Sequence, residues 1–316
     1  MSAGAFSIPL IVRERILDFM SWVLLAVISY TLTAGIAISD KYFLTRRMPS
    51  AVSYGFWVGV LGLGFVLAIP FGFYLPEPQT LAAAIASGAT FTCALVALFW
   101  TLKRGTVSRV IPMIGAVFPV ATLALAAAVV GERLSGQETV AFAVLLVSGI
   151  LLSASTEESE KGRIGVTIAG SVLAGFLLAL AFVLAKYVFS HHAFLSGFIW
   201  MRVAGGATAL SFLLVPSWRR TILSASAKPE AGIVLLIGLR AIAGFSFVLV
   251  NYAVKLGSVT LVNALKGIEY GVVFIFTLFL SHFYPAIIKE SPDKKIVAAK
   301  SLGIAGIAFG LWLLAL

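Results

Sequence analysis

Two charged residues interrupt a long apolar stretch near the C-terminal end of the chain, and their spacing suggests joint binding chemistry. Lys266 and Glu269 are three residues apart, so a helix places them on one face. If the stretch crosses a membrane, each charge costs at least about 2.5 kcal/mol, which is tolerated in a bundle interior or a wet cavity. The pair therefore indicates either a substrate site that faces a cavity or a structural ion pair that locks its helix.

Two arginines lie within other apolar stretches and add positive charge to the same interior. With Arg202 and Arg240, the apolar stretches hold three positive charges and the single negative charge of Glu269. Because arginine suits bidentate recognition of carboxylate or phosphate, we expect an anionic or zwitterionic ligand. Arg202 could instead snorkel or bind helix carbonyls, and both interpretations stay open at this point.

Aromatic and amide side chains complete the predicted substrate site. A Trp or Tyr close to the end of an apolar stretch is more often an interfacial anchor than a ligand, and Asn251 can also be interfacial. Asn263 and Tyr270 are preferred because they share the stretch that carries Lys266. The candidate substrate-binding residues are Tyr30, Trp57, Arg202, Arg240, Asn251, Asn263, Lys266, Glu269 and Tyr270.

Motifs of enzymes and metal sites do not emerge from the sequence. Cys93 is the lone cysteine, and the three histidines fall in connections or at the end of an apolar stretch. No zinc-protease, phosphate-loop or activated-nucleophile pattern occurs. We therefore predict a protein that is not an enzyme and that uses no metal or other cofactor.

The elements that must position these residues are membrane-spanning helices. The 316 residues are 60% hydrophobic and only 11% charged, against about 25% charged in a typical soluble domain. Apolar runs of about 20 residues match the thickness of the hydrocarbon core. The predicted fold is an all-α polytopic membrane protein with ten spans: 20–39, 51–74, 80–101, 108–130, 138–154, 165–187, 195–215, 230–252, 258–281 and 297–316.

Similar segments recur in the two halves of the chain. Gly105-Thr-Val107-Ser and Gly257-Ser-Val259-Thr begin matches that hold one offset over sixteen residues. We therefore divide the chain into a first five-helix repeat, 1–160, and a second, 161–316. An odd number of spans per repeat makes the two repeats inverted, with a binding site near the midplane between them.

Basic residues are unevenly distributed between the two faces of this topology. Fifteen lysines and arginines fall on the face opposite the termini, and five on the face that the termini share. Positive loops stay cytoplasmic, so both termini are predicted to be non-cytoplasmic, in what we expect to be a bacterial inner membrane. The formal net charge of +10 then indicates contact with anionic lipid headgroups rather than with nucleic acid.

Several short motifs resemble the drug/metabolite transporter superfamily, especially its EamA-type branch. They are the Gly131-Glu132-Arg133-Leu134 turn with the following segment 147–152, the segment Val254-Lys255-Leu256-Gly257-Ser258, and Arg202 in span 7. The resemblance implies a ten-helix secondary transporter that works by alternating access and has no ATP site. The predicted orientation departs from the cytoplasmic termini that are usual in this family.

The substrate and its coupling are left open by the sequence. The spacing of Asn263 and Lys266 resembles the lysine motif of nucleotide-sugar and sugar-phosphate translocators, in which the lysine meets a phosphate. Besides a secondary transporter of a small polar metabolite, we consider an exchanger of phosphorylated metabolites and a translocase of a lipid-linked phosphate. Glu269 could pair with a cationic group or take up a proton, so coupling to protons or to a counter-substrate is an expectation.

Overall fold

The computed structural model describes residues 21–37, 50–104, 107–153, 164–226, 233–283 and 294–315, and these residues form helices without any strand. Two helices continue into 3-10 segments, Leu63–Phe71 and Phe212–Leu214. In chain order the helices are α1 Ser21–Ala37, α2 Ala51–Gly62, α3 Pro78–Leu102, α4 Val107–Val129, α5 Gly136–Ser153, α6 Ile164–His191, α7 Phe194–Ser211, α8 Pro216–Ser226, α9 Ile233–Leu256, α10 Val259–Ala264, α11 Gly267–Phe283 and α12 Lys294–Ala315.

Nine segments of the described chain are long and apolar enough to cross a membrane. They follow the predicted spans 2 to 10, while α1 is an apolar helix shorter than 18 residues. The prediction of a polytopic helical membrane protein is thereby confirmed. The division into two inverted repeats stays a prediction.

Two features of the predicted spans differ from unbroken helices. The segment predicted as span 9 consists of α10 and α11, which are separated at Leu265 and Lys266. The connection after predicted span 7 contains the helix α8. Of the described side chains on α8, only Ile222 is buried, against Phe56, Ala209 and Phe212, while Arg219 and Arg220 are exposed. Such a short polar-faced helix at a span end suits the membrane interface.

Close backbone approach joins α3 to α7. A Cβ atom on Gly88 would collide with the carbonyl oxygen of Met201, so any side chain there would push the helices apart. Thr92 on α3 donates to the carbonyl of Gly205 on α7 at 3.2 Å. Small residues with hydroxyl bonds between helices are the usual way to pack helices in lipid. This contact fixes the part of α7 that carries Arg202.

A second small-residue contact joins α5 to α11 and α12. A Cβ on Gly267 would lie 3.1 Å from the Cα of Gly149, and one on Gly306 would collide with the hydroxyl of Ser148. Close packing therefore holds the start of α11 against α5. This is the point at which the predicted span 9 is broken.

Candidate functional site

The helix break before α11 places Lys266 at the junction of two helical segments. The amide of Lys266 donates to the carbonyl of Asn263 at 3.2 Å, an i→i−3 bond, instead of to Val262. The carbonyl of Val262 is then available, and the Tyr30 hydroxyl donates to it at 3.0 Å. A side chain of α1 thus satisfies a backbone group that the break releases, as buried carbonyls require.

Lys266 and Glu269 form an ion pair directly after the break. The Lys266 Nζ donates to a Glu269 carboxylate oxygen at 2.7 Å. The Lys266 side chain is 25% exposed and that of Glu269 11%, so the pair is partly accessible. The ammonium also lies 5.7 Å from the Tyr30 ring centre and 6.0 Å from that of Tyr270, within cation–π range.

A small cavity, here called the lysine pocket, adjoins this ion pair. Its volume of about 10 Å³ is enough for one water molecule. Gly115 on α4 makes room for Tyr270, whose ring would lie 3.3 Å from a Cβ at that position. The lining comes from α4, α5 and the α10–α11 segment: Gly115, Phe118, Pro119, Leu145, Leu146, Gly149, Asn263, Ala264, Lys266, Gly267 and Tyr270.

Asn263 joins the lysine pocket to α4. Its amide nitrogen donates to the Thr122 hydroxyl at 3.2 Å, and that hydroxyl donates to the Phe118 carbonyl at 2.7 Å. The Asn263 Oδ1 atom is buried without a hydrogen-bond partner. Because buried acceptors are normally hydrogen-bonded, we expect the Asn263 Oδ1 to accept a hydrogen bond from a water molecule or a ligand group in the pocket.

Two helices outside the pocket hold Tyr30 in place. Ser29 on α1 and Ser246 on α9 each donate to the other's backbone carbonyl at 2.8 Å. The Thr33 hydroxyl lies 2.8 Å from that of Ser246. These reciprocal bonds fix α1 against α9 and set the position of Tyr30 one residue along.

A polar clamp, formed by Glu132 and Lys186 around the turn Gly257–Ser258, anchors the start of α10. The Glu132 carboxylate accepts from the Ser258 hydroxyl at 2.8 Å and from the amides of residues 259 and 260 at 3.1 Å. The Lys186 ammonium donates to the carbonyls of Val254, Lys255 and Gly257 at 2.7–3.2 Å. Lys186 therefore caps the C-terminal end of α9, and Glu132 caps the N-terminal end of α10.

Sequence reasoning missed the role of this clamp. Glu132 belongs to a motif that resembles the transporter superfamily, and neither Glu132 nor Lys186 is predicted from the sequence to bind the 257–258 turn. Gly131 has φ +69°, the left-handed conformation that often ends a helix, and the Glu132 amide donates back to the Ala126 carbonyl at 3.1 Å. The Gly-Glu pair directly after a span was the available signal, because glycine at that position turns the next side chain out of the helix.

Arg202 and Asn251 lie together in another cavity, here called the arginine pocket. Its volume is also about 10 Å³. The Arg202 guanidinium carbon lies 4.5–5.5 Å from the ring centres of Phe91, Phe198 and Phe247. The lining comes from α3, α6, α7 and α9: Ser87, Phe91, Ala181, Phe182, Ala185, Met201, Arg202, Phe247 and Asn251.

Aromatic rings separate the two pockets. Phe118 lines the lysine pocket and Phe182 lines the arginine pocket, and their ring centres are 5.7 Å apart in an edge-to-face contact. Phe182 also lies 6.2 Å from Phe247. The pockets share no lining residue, so the structure divides the predicted site into two.

The remaining predicted residues lie apart from both pockets. Arg240 donates to the Tyr54 hydroxyl and lies 5.0 Å from the Tyr54 ring centre, at the start of α2. Trp57 packs edge-to-face on Phe56 beside the cluster that includes Ile222 of α8. The structure thus brings Tyr30, Asn263, Lys266, Glu269 and Tyr270 together, and it brings Arg202 together with Asn251.

Comparisons with known proteins give a likeness in fold. Neither a family model nor a curated protein matches this sequence. A crystal structure whose description names no function aligns with a TM-score of 0.61 over 91% of this chain and 97% of that chain, at 16% identity. This identity supports a shared fold alone. By its fold the protein is a multi-pass integral membrane protein.

Proposed function

We propose that the protein is a secondary transporter that moves a small anionic or zwitterionic metabolite across the membrane by alternating access. The supporting observation is the break in a membrane-length helix at Lys266, beside an ion pair and a cavity. Non-helical backbone at membrane depth is tolerated where it is buried in protein or lines a cavity. Broken helices around the substrate are typical of secondary transporters.

The two charges of the lysine pocket define complementary roles. Lys266 attracts an anionic group, and Glu269 receives a cationic group or a proton. Since each now neutralises the other at 2.7 Å, a ligand has to replace that ion pair. A zwitterion replaces both interactions at once, while an anion replaces one and leaves Glu269 to bind a proton. Either exchange avoids an uncompensated charge in the membrane.

The wider organisation belongs to the same proposal. We place the chain in the drug/metabolite transporter superfamily, with two inverted five-helix repeats related across the pockets. The basic loops and the exposed Arg219 and Arg220 of α8 lie on the cytoplasmic side, and both termini lie outside. A bacterial inner membrane suits this arrangement.

Uptake into proteoliposomes tests this function. The panel contains labelled amino acids, dicarboxylates and sugar phosphates, with wild type compared with Lys266→Gln and Glu269→Gln. Lys255→Gln is the matched control, because Lys255 lies at the end of α9, outside both pockets. We expect one substrate class to be taken up by wild type and the control, and uptake to fall at least about tenfold in both pocket variants.

Other outcomes of this assay decide between the alternatives. Uptake that occurs only with the same phosphorylated compound inside the vesicles identifies an exchanger of phosphorylated metabolites. Transport that is equal in all four proteins removes the lysine pocket from the pathway. Movement of a lipid-linked phosphate without uptake of any soluble compound replaces this proposal with a lipid translocase.

A further inference from the structure

The charge on Arg202 lacks an anionic partner among the described residues. None of the described carboxylates forms an ion pair with its guanidinium, and its Nε is buried without a hydrogen-bond acceptor. The three phenylalanine rings attract the charge through their faces, but they accept no in-plane N–H bond. An unneutralised arginine within a membrane span is costly, so the pocket is incomplete as it stands.

The polar groups beside Arg202 suit a small oxyanion. The Asn251 amide nitrogen donates to the Phe247 carbonyl at 2.8 Å, which leaves its second N–H for a ligand. The Ser87 hydroxyl donates to the Ala181 carbonyl at 2.8 Å, so its proton is already used and we assign it no part in binding the ligand. A guanidinium and one amide N–H can together hold the two oxygens of a carboxylate.

The number of charges in the arginine pocket selects the class of anion. Among the described residues that line it, Arg202 alone is charged, and the other walls are mainly Phe, Ala and Met side chains. A monoanion neutralises the single guanidinium, whereas a phosphate dianion would leave a negative charge among apolar groups. The cavity now has room for about one water molecule, so its walls have to move apart for a ligand, and by less for a compact, planar carboxylate than for a tetrahedral anion.

We propose that the arginine pocket is a second ligand site, which binds a carboxylate through Arg202 and Asn251, separate from the ion pair of Lys266 and Glu269. Phe118 and Phe182 form the wall between the two sites. This inference concerns binding and does not depend on transport, so a failure of the uptake assay leaves it standing.

Thermal unfolding of the purified full-length protein in detergent tests the proposal. The probes are sodium acetate, propionate and butyrate, compared with sodium chloride and sodium sulfate at equal ionic strength. We expect the carboxylates to raise the apparent Tm with saturation, because a ligand that binds the native state stabilises it. Chloride and sulfate are expected to give no saturable rise.

Variants assign that response to the pocket. Arg202→Met removes the charge and is expected to abolish the carboxylate response. Arg202→Lys keeps the positive charge but loses the planar guanidinium that can donate two parallel hydrogen bonds. It is expected to shift the response to about tenfold higher carboxylate concentration. Asn251→Ala is expected to weaken it, and Lys266→Met, the control in the other pocket, is expected to retain it.

Four results would overturn the proposal. They are no carboxylate response in wild type, an equal response to chloride or sulfate, a wild-type response in Arg202→Met, and loss of the response in Lys266→Met. If Arg202→Met does not fold, Arg202→Lys decides the question. An unchanged concentration dependence in that variant would also overturn the assignment.

Discussion

The lysine and arginine pockets accommodate membrane-buried charge in different ways. In the lysine pocket, the ammonium and carboxylate neutralise each other at 2.7 Å. In the arginine pocket, three aromatic rings surround a guanidinium that no described carboxylate meets. A self-neutralised pair is stable alone and must be displaced by a ligand, while an unpaired cation gains stability when an anion arrives.

The backbone also differs between the two pockets: it is broken at Lys266 and continuous at Arg202. Lys266 lies between two helical segments, and the side chains of Tyr30, Glu132 and Lys186 form hydrogen bonds with the surrounding backbone. Arg202 lies inside the continuous helix α7, which Gly88 and Gly205 hold tightly against α3. We interpret the lysine pocket as the part at which the backbone rearranges, and the arginine pocket as a site on a rigid helix whose side-chain walls open for a ligand.

The largest expected effect is a loss of stability on removing the Glu269 charge, with no such loss on removing the Arg202 charge. Glu269→Gln leaves Lys266 without its counter-charge and is expected to lower the free energy of unfolding by roughly 2 kcal/mol. That is less than the about 3–5 kcal/mol typical of a fully buried pair, because Lys266 is partly exposed. Arg202→Met removes an unpaired charge and is expected to leave stability unchanged or raised. Denaturant unfolding in matched detergent measures both.

The comparison fails if Arg202→Met is the more destabilised of the two variants. The double variant Lys266→Met/Glu269→Gln provides a control for packing. It is expected to recover most of the stability that Glu269→Gln loses, since no charge is then left alone.

Much of the fold follows from the sequence, because twenty-residue apolar runs have few other structures available in lipid. The shared helix face of Lys266 and Glu269 also follows from their spacing, and the structure pairs them. The break at residue 265 could not be predicted, because no proline marks it and tertiary groups such as the Tyr30 hydroxyl stabilise it. The separation of Arg202 from Lys266 depends on how α6 packs between them, which spacing along a chain does not encode.

A smaller effect is expected from the polar clamp, which supports only the broken helix. Glu132→Ala removes three hydrogen bonds at the start of α10 and is expected to cost about 1–2 kcal/mol, in the range of a lost helix cap. Glu132→Gln retains one acceptor oxygen and is expected to lose less. The carboxylate response of the arginine pocket should be unchanged in both variants.

The matched control for the clamp is Glu77→Ala. Glu77 is an exposed glutamate before α3 that makes no capping hydrogen bond. We expect its replacement to be neutral in the same unfolding measurement. A loss in Glu77→Ala as large as that in Glu132→Ala would remove the special role of the clamp.

The smallest expected effect concerns pH at the turn before α7. Partial burial lowers the pKa of His192 from its ordinary value of 6.5, although the hydrogen bond to the Tyr74 backbone opposes the shift. The unfolded chain therefore binds a proton more readily than the folded one, and stability falls as the pH drops through about 6.5. His192→Gln is expected to flatten this loss slightly between about pH 7 and pH 5.

Unfolding of wild type and His192→Gln across that pH range provides the measurement. The loss at acid pH should be smaller in the variant, and its carboxylate binding should be preserved at pH 7. A steeper loss in His192→Gln would mean that the histidine stabilises the turn in its protonated form.

Accessibility of position 266 from each side of the membrane tests alternating access most directly. In a Cys93→Ser background, Lys266→Cys is treated in oriented vesicles with a membrane-impermeant cationic methanethiosulfonate. Leu302→Cys is the control, because Leu302 is 65% exposed on the apolar helix α12 and faces lipid in this account. We predict labelling of position 266 from both sides and none of position 302. Labelling of position 266 from one side only, or from neither, would contradict a transport pathway through the lysine pocket.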